Sequence, residues 1–322
     1  MRRILVLGGT AWLGREVARA AVVDGAEVVC LARGTSGDVP DGARLVRADR
    51  AHPGAYDHLD GEWDAVVELA YQPELVGPAL DALADRAAHW TLVSSISVYA
   101  GHDEPGADES AAVVEPTDLT DYAHAKVAAE RATTDRLDGR LHIVRPGLIA
   151  GPGDPSDRFG YWPARLRRGG RVLTPEPAGQ FVQMIDVGDL AAWIVRAART
   201  GRGGTVDAVG HSHPLGDVLA VVGEAAGFAG ELVPAEEAWL LAHDVHYWAG
   251  PRSLPLWLPA SHVGHSRRSN AAYLTAGGAV RPLGETVERV LGDEMVRGVG
   301  RERRSGLTPA EERELLELLS GR

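Results

Sequence analysis

Tyr122 and Lys126 stand four residues apart in the segment DYAHAK, residues 121–126. On a helix this spacing places both side chains on one face. A phenol with its ordinary pKa of about 10 is a poor acid or base at neutral pH. A neighbouring ammonium favours the phenolate and lowers that pKa. The pair is therefore a candidate for moving a proton to or from a substrate oxygen, although a solvated surface pair has the same spacing.

Hydroxyl groups follow a short apolar run in the segment SSISVY, residues 94–99. If the run is a strand beside the helix that carries Tyr122, a serine at its end can donate a hydrogen bond to a substrate carbonyl. A serine, a tyrosine and a lysine arranged in this way fit chemistry at a carbonyl or alcohol carbon, with the proton exchanged at oxygen. The electrons must then come from a separate carrier.

A glycine-rich turn, LGGTAWLG at residues 7–14, follows the first apolar run and leads directly into a helical pattern. Gly8 permits a tight turn, and Gly14 lets the helix pack close to the sheet. The helix N-terminus offers free N–H groups and a partial positive charge to a pyrophosphate. This context predicts a dinucleotide site that includes Gly8, Thr10, Ala11, Trp12, Leu13 and Gly14. Ala11 replaces the middle glycine of the usual pattern.

The carrier is therefore expected to be a nicotinamide dinucleotide, with Lys126 also able to hydrogen-bond to its ribose. The second apolar run ends at Ala32-Arg33 without the acidic residue that favours NAD. Arg33 fits a 2′-phosphate, so NADP is preferred over NAD. Stacking of Arg33 on adenine without discrimination is the alternative. Asp49 is a candidate for the adenine amino group, with Arg50 beside it.

The elements that must position these residues alternate along the first half of the chain. Apolar strands are predicted at 4–7, 27–32, 44–47, 64–70, 90–94, 141–144 and 205–209. Helices are predicted at 12–23, 73–88, 122–137, 187–198, 215–226 and 309–319, the last with Thr308 as N-cap. Continuous apolar strands alternating with helices predict an α/β fold, a Rossmann-type doubly wound parallel sheet.

A turn-rich segment, GPGDP at residues 151–155, ends the alternation. We therefore predict a dinucleotide-binding Rossmann domain at 1–150 with 181–209. A smaller mixed substrate-binding domain is predicted at 151–180 with 210–322. The Pro- and Trp-rich stretch at 248–258 is predicted to be an irregular lid or groove wall.

In this order the motifs resemble the extended short-chain dehydrogenases/reductases of the NAD-dependent epimerase/dehydratase family. The resemblance covers nearly the whole chain and is strongest at residues 3–152 and at FVQMIDVGDL, residues 181–190. It implies Ser95 as the catalytic hydroxyl, in the family's S-x-x-V-Y pattern, with Tyr122 as acid/base and Lys126 as its partner. It also implies that Ala70 contributes a backbone contact to the cofactor and that Pro146 borders the nicotinamide.

One departure from the family's pattern lies at the fourth strand, where the usual His-Leu-Ala-Ala is ELAY, residues 68–71. A nucleotide-sugar substrate is therefore not assumed. Aromatic side chains proposed for the substrate pocket are Tyr71, Tyr99, Trp162 and the Tyr247-Trp248 pair. Residues 103–109 carry an acidic stretch that is expected to be a solvated loop near the substrate.

The residues after Ser95 are Ile96-Ser97, rather than the acidic pair that the family's sugar dehydratases use, so dehydration is disfavoured. Reduction of a carbonyl with exchangeable NADPH is the first hypothesis. Epimerisation of a sugar or nucleotide sugar with tightly bound NAD is the second. A non-catalytic module that senses the cofactor is the third, and the serine, tyrosine and lysine argue against it.

Charge and composition limit the partners of the chain. A formal net charge of -12 argues against nucleic acid, whose phosphates need a basic surface. The single cysteine, Cys30, permits no intramolecular disulfide, which fits a reducing compartment. No apolar stretch approaches the roughly 20 residues that span a bilayer. The apolar run at 4–7 is shorter than a signal peptide's, so a cytoplasmic location without membrane contact is expected.

Two histidine pairs have the spacing of metal ligands, His243 with His246 and His262 with His265. No cysteine lies near them and no third ligand can be assigned, so no metal is predicted. The partner that is expected is a small carbonyl or alcohol compound. A homodimer formed by helices flanking the sheet is an analogy with relatives.

Overall fold

The computed structural model describes residues 2–321 and contains four β-sheets. The strands are β1 (Arg3–Leu7), β2 (Glu27–Ala32), β3 (Ala43–Arg47), β4 (Ala65–Glu68), β5 (Trp90–Val93), β6 (Leu141–Pro146), β7 (Leu148–Ala150), β8 (Arg171–Pro175), β9 (Phe181–Asp186), β10 (Gly204–Ala208), β11 (Ser212–Pro214), β12 (Glu231–Ala235), β13 (His246–Trp248) and β14 (Ser253–Pro255). The α-helices are α1 (Trp12–Val23), α2 (Pro73–Leu83), α3 (Tyr122–Leu137), α4 (Tyr161–Arg167), α5 (Val187–Thr200), α6 (Leu215–Ala226), α7 (Glu237–Ala242), α8 (Ala271–Thr275), α9 (Leu283–Arg297) and α10 (Pro309–Ser320).

The central sheet has seven strands in the order β10-β6-β5-β4-β1-β2-β3, and every pair is parallel. Its strands carry apolar side chains on both faces because helices cover both faces. Leu5 and Leu7 of β1 enter the core shared with α2 and α3. Ile4 and Val6, which point the other way, enter the core shared with α1 and α5. This confirms the predicted α/β Rossmann-type fold.

Polar side chains define where several helices begin. The carboxylate of Asp121 accepts from the N–H groups of Ala123 and His124 at 2.8 and 3.1 Å, which fixes the start of α3 at Tyr122. Thr308 and Glu311 form a capping box at α10, so the predicted N-cap is confirmed. The N-cap of α1, Ala11, contributes no side-chain hydrogen bond.

The smaller sheets lie in the C-terminal part, around a separate core that includes Trp162, Trp239 and Trp257. Strand β9 pairs with β7 and β11 rather than with the central sheet. The segment 181–209, predicted as one Rossmann block, therefore divides: β9 joins a small sheet, whereas β10 joins the large one. The division into two domains stays a prediction.

Some elements lay outside the sequence predictions. Strands β8, β9 and β12 and helix α9 were not predicted, and the stretch 248–258 contains β14 and the last residue of β13. None of the helices in residues 2–321 combines the length and apolar character that crossing a bilayer requires.

Candidate active site

The glycine-rich turn between β1 and α1 needs glycine for steric reasons. Gly8 has φ of +96°, in the region that L side chains rarely adopt. A Cβ on Gly14 would lie 2.3 Å from the carbonyl oxygen of Gly8. A Cβ on Gly9 would lie 2.3 Å from Sγ of the buried Cys30. Gly9 was not among the predicted site residues; its neighbour on β2 could be found only from the fold.

The N-terminus of α1 opens where the turn ends. Because Ala11 has no side-chain cap, no described side chain takes the first N–H groups of the helix. Trp12 is held by a hydrogen bond from its Nε1 to the carbonyl oxygen of Pro152, at 2.8 Å. Free N–H groups beside a cradle that a Cβ would fill are what a pyrophosphate needs, so these residues fit the predicted dinucleotide.

A cavity of about 430 Å³, here called the strand-tip cavity, lies over the ends of β1 and β2. It gathers predicted cofactor residues from separate segments: Gly8, Thr10, Ala11, Arg33, Asp49, Arg50 and Ala70. Thr35 and Ser36 line it beside Arg33. The cofactor contacts themselves stay predictions.

Arg50 lines the strand-tip cavity, but its guanidinium is already paired. The guanidinium is buried and pairs with both carboxylate oxygens of Glu68, and its Nε donates to the hydroxyl of Tyr56 at 3.0 Å. Glu68 also accepts from the N–H of Ala70 at 2.8 Å. The predicted cofactor contact of Arg50 stays a prediction, and its observed partner is the residue that departs from the family's pattern. The pair holds the backbone at Ala70 next to the strand-tip cavity.

Ser95, Tyr122 and Lys126, the predicted trio, line a second cavity of about 530 Å³, here called the central cavity. Ala11, Trp12, Leu13, Gly14 and Pro146 line it as well, so the glycine-rich turn and the trio share one space. Ser95 is the N-cap of a 3-10 helix, Ile96–Val98, and its Oγ accepts from the N–H of Ser97 at 3.1 Å. The same Oγ donates to Ser97 Oγ at 3.1 Å.

Tyr122 begins α3 and leaves 45% of its surface exposed. Burial and the nearby Tyr71 raise the pKa of the phenol above its ordinary value, although Ser95 and the positive charge of Arg158, in the turn after β7, act in the opposite direction. The predicted effect of Lys126 on this pKa stays a prediction.

Lys126 is buried, and its Nζ donates to the carbonyl oxygen of Val93 at 2.7 Å. The ammonium lies 5.7 Å from the ring centre of Tyr122 and 4.8 Å from that of Tyr71. Burial lowers the pKa of Lys126 to about 8, although Glu68 and Glu130 act in the opposite direction. The lysine therefore sits behind the phenol, on the side of β5.

With this geometry in view, the comparisons with known proteins are informative. The model of the NAD dependent epimerase/dehydratase family matches residues 4–210. The chain belongs to this family. No curated protein matches its sequence.

Solved structures of similar fold include three bacterial epimerases. UDP-N-acetylglucosamine 4-epimerase from Bacillus cereus has a TM-score of 0.69 at 16% identity, covering 92% of this chain and 97% of that one. UDP-glucose 4-epimerase from Thermus thermophilus, in complex with NAD, has a TM-score of 0.64 at 18% identity, covering 90% and 98%. UDP-glucuronic acid 4-epimerase from Bacillus cereus, also with NAD, has a TM-score of 0.68 at 14% identity, covering 92% and 99%. Such identities show a shared fold alone.

Two of the aromatic residues predicted for the substrate pocket lie elsewhere in this family member. Tyr99 is buried in the core, where its hydroxyl donates to Asp207 at 2.7 Å and accepts from Arg145 at 2.9 Å. Trp162 is fully buried and donates to the carbonyl oxygen of Pro255 at 2.8 Å. Both predictions were wrong because sequence alone does not distinguish a lining aromatic residue from a core one.

The other aromatic predictions fall near the trio. The ring of Tyr71 packs edge-on against that of Tyr122, with 5.0 Å between centres. Trp248 lines the central cavity. Sequence reasoning missed Asp154, Arg158 and His265, which line it too. The available signals were GPGDP itself for Asp154 and the polar run that follows it for Arg158.

The histidine pairs do not form metal centres in residues 2–321, where no group of potential ligands is arranged around a common point. His243 stacks on Trp239, with 4.1 Å between ring centres, and His246 lies exposed on β13. His262 and His265 instead gather around His102, at 5.4 and 4.9 Å between ring centres.

A larger cavity, of about 860 Å³, lies along α10. Its charged lining includes Arg165, Arg168 and Glu312, and it contains no member of the trio. Arg165 is paired with Glu312, so much of its charge is already neutralised. The central cavity is therefore the candidate active site.

Proposed function

We propose that the chain is an NAD(P)-dependent oxidoreductase that interconverts a carbonyl compound and its alcohol, with Tyr122 as acid/base. One observation carries the proposal: Tyr122, Ser95 and Lys126 line a single cavity that the glycine-rich turn also lines. A proton donor and a dinucleotide site that open into one space support redox chemistry there.

The residues that would hold the cofactor follow from the two cavities. The N-terminus of α1 would bind the pyrophosphate, Asp49 the adenine amino group, and Ala70 and Pro146 would border the rest of the molecule. Lys126 would hydrogen-bond to the nicotinamide ribose. When bound, the nicotinamide supplies hydride to a carbonyl carbon or accepts it from an alcohol carbon.

Tyr122 and Ser95 would act on the substrate oxygen. During reduction the phenol gives its proton to the carbonyl oxygen and then regains one from solvent; during oxidation it removes the alcohol proton. The hydroxyl of Ser95, which donates to Ser97 Oγ in the structure, would turn to donate to the same oxygen and favour the charge that develops there. The N–H of Ser97, which donates to Ser95 Oγ, would hold that oxygen in position.

We place a reductase that exchanges its cofactor in every cycle before an epimerase that retains it. The reductase is supported by the strand tip, which presents the exposed Arg33 rather than an acidic residue. The epimerase is supported by the family's description and uses the same trio. A non-catalytic sensor is disfavoured by the intact trio.

One experiment separates the reductase from the epimerase. Purified protein is denatured and the supernatant assayed for released NAD(P), and separately the native protein is mixed with NADPH and a panel of ketones and aldehydes. Steady NADPH oxidation that Tyr122→Phe abolishes supports the reductase. Released NAD in near-equal amount to protein, with no net oxidation, supports the epimerase instead.

The preference for NADP over NAD would depend on Arg33. Thr35 and Ser36 line the strand-tip cavity beside it and can add hydrogen bonds to a 2′-phosphate. Arg33→Ala should therefore raise the KM for NADPH by roughly tenfold and leave that for NADH little changed. Equal changes for both cofactors would mean that Arg33 only stacks on adenine.

We propose a cytoplasmic location, because the one cysteine of the sequence, Cys30, is buried and free. Association into a homodimer through helices α2 and α3, which cover one face of the central sheet, is proposed by analogy with other oligomeric α/β proteins. Light scattering of the purified protein at several concentrations tests the dimer. A mass of one chain throughout would reject it.

A further inference from the structure

Each fully buried arginine in the part of the chain that the structure describes is paired with a carboxylate. Arg50 pairs with Glu68, Arg145 with Glu130, Arg165 with Glu312 and Arg268 with Asp207. The pairing is expected, because an unpaired guanidinium removed from water carries a large desolvation cost. An arginine that lines a cavity and has no carboxylate partner therefore needs an explanation.

Arg158, by contrast, is only partly buried, in the wall of the central cavity, and it makes no ion pair with any residue between 2 and 321. The one hydrogen bond that its guanidinium makes to the described protein runs from Nε to Ser156 Oγ, at 3.1 Å. The two terminal nitrogens, which form the fork that binds carboxylates, have no protein acceptor in that part of the chain.

The surroundings of Arg158 hold the guanidinium in place rather than neutralise it. Ser156 donates from Oγ to Asp154 at 2.8 Å, so the carboxylate of Asp154 reaches Arg158 only through this hydroxyl. The guanidinium carbon lies 5.2 Å from the ring centre of Trp248, which also lines the cavity. A rigid fork backed by an aromatic ring is prepared to receive a ligand.

We propose that Arg158 binds the carboxylate of a small substrate, so that the chain acts on an oxo acid or the corresponding hydroxy acid. The inference rests on the proposed function and adds the substrate class to it. Arg158, Tyr122 and Ser95 line the same cavity. The carboxylate would therefore lie near the carbon that reacts, with the carbonyl oxygen directed to Tyr122 and Ser95.

The charges of the cavity favour a monoanion over a phosphate or diphosphate. Among the charged side chains that line it, Lys126 donates to the carbonyl oxygen of Val93 and Asp154 is negative. Only Arg158 is left to face an anion. A single guanidinium beside a carboxylate matches one negative charge, whereas a diphosphate would be repelled by Asp154 without a second free cation.

A matched pair of ketones tests this assignment. Benzoylformate carries a carboxylate next to its ketone, and its methyl ester is neutral. Titration calorimetry of the protein saturated with NADP⁺ measures binding of each compound, since the oxidised cofactor cannot reduce them. We expect benzoylformate to bind the unaltered protein roughly 10- to 100-fold more tightly than the ester, as a hydrogen-bonded charge pair predicts.

Arg158→Gln should remove that difference by weakening benzoylformate alone, and Arg158→Lys should restore part of it. Arg267→Gln is the matched control, because Arg267 also places its guanidinium over an aromatic ring, 4.3 Å from the centre of Phe181, but does not line the central cavity. The melting temperature of each variant reports whether it folds. Benzoylphosphonate provides the phosphate arm of the comparison.

Three results would overturn the inference: equal affinity for acid and ester, an unchanged affinity of Arg158→Gln for the acid, or tighter binding of the phosphonate. NADPH oxidation with the same ketones separates this inference from the proposed reaction. Oxidation with the ester but not the acid leaves hydride transfer standing and rejects the carboxylate site. Arg158-dependent binding of the acid without oxidation of NADPH by any ketone supports the site and rejects the reaction.

Discussion

Tyr99 and Tyr122 have similar kinds of neighbours but lie in different surroundings. Tyr99 belongs to what we call the buried ion network, formed by Tyr99, Glu130, Arg145, Asp207 and Arg268. Tyr122 belongs to the central cavity. Each shares its surroundings with an arginine, Arg145 for Tyr99 and Arg158 for Tyr122, but Tyr99 is 1% exposed and Tyr122 is 45% exposed.

The hydroxyl of Tyr99 has its hydrogen-bonding capacity filled by protein, because it donates to Asp207 and accepts from Arg145. Burial and the charge of Asp207 raise the pKa of Tyr99, so the phenol stays protonated. In the central cavity, the hydroxyl of Tyr122 and the terminal nitrogens of Arg158 can still form hydrogen bonds with a ligand. The same residue types are structural where the network closes on itself, and we propose that they are functional where it is left open.

Tyr122→Phe is the most direct test of the difference between the two tyrosines. Without the phenol, no acid/base group remains at the substrate oxygen, so kcat should fall by about 10²- to 10⁴-fold. The residue is 45% exposed and its hydroxyl makes no hydrogen bond to the described protein, so the melting temperature should change little. Steady-state NADPH oxidation and a thermal melt measure the two quantities. A variant that retains turnover would remove Tyr122 from the chemistry.

The second prediction concerns the buried ion network. Asp207→Asn removes the charge that pairs with Arg268, whose Nε lies 2.6 Å from Asp207 Oδ2, with both side chains buried. Leaving this guanidinium uncompensated should cost about 3–5 kcal/mol of stability. Urea unfolding measures the loss.

The control for the network is Glu115→Gln, in the exposed pair with Arg131 at 2.9 Å. Solvent screens that pair, so its stability should change little. If both variants unfold at the same urea concentration, burial does not separate the two kinds of ion pair and the comparison loses its basis.

Local signals explain what the sequence could predict. The apolar runs at 4–7 and 27–32 and the N-cap at Thr308 are properties of neighbouring residues, and the bounds of α1 and α3 agree with the predictions. The glycine-rich turn and the Tyr122–Lys126 spacing are local too. Strand β9 was not predicted because its partners, β7 and β11, are set by long-range pairing.

The missed residues of the cavity have the same explanation. Arg158 and His265 are separated by about a hundred positions in the sequence and meet only after the smaller sheets have formed. Tyr99 was assigned to the substrate pocket because its closing partner, Asp207, lies on β10 at the far end of the chain's alternating part. A tyrosine's role thus depended on contacts that no local pattern carries.

Tyr99→Phe gives a smaller effect that sharpens the contrast with Tyr122→Phe. It leaves a donor of Arg145 and an acceptor of Asp207 without the bridging hydroxyl, which should cost about 1–3 kcal/mol. Turnover should stay within a few-fold of the unaltered protein, because the hydroxyl faces the core. Unfolding and NADPH oxidation measured on the same samples check both statements. Loss of turnover without loss of stability would reverse the assignment of the two tyrosines.

The smallest effect lies at His265, where the two regions meet. Burial, together with the positive charges of His102, His262, Arg268 and Arg158, lowers the pKa of His265 to about 3 from the ordinary 6.5. The folded protein therefore keeps this ring neutral where the unfolded chain binds a proton. Its contribution to stability is complete above pH 6.5 and falls as the pH drops from there toward 3.

His265→Gln should remove this contribution and flatten the acid side of the stability profile, by about 1 kcal/mol near pH 5.8. Urea unfolding of both proteins between pH 4 and 8 measures it, with His246→Gln as the control, because His246 is exposed on β13. Near pH 8 the ring is neutral in the folded and the unfolded state. There, the difference in free energy of unfolding between each histidine variant and the unaltered protein should not depend on pH. An unchanged acid slope in His265→Gln would mean that the ring is already solvated, and that the cavity is open to water between Trp248 and the His102 loop.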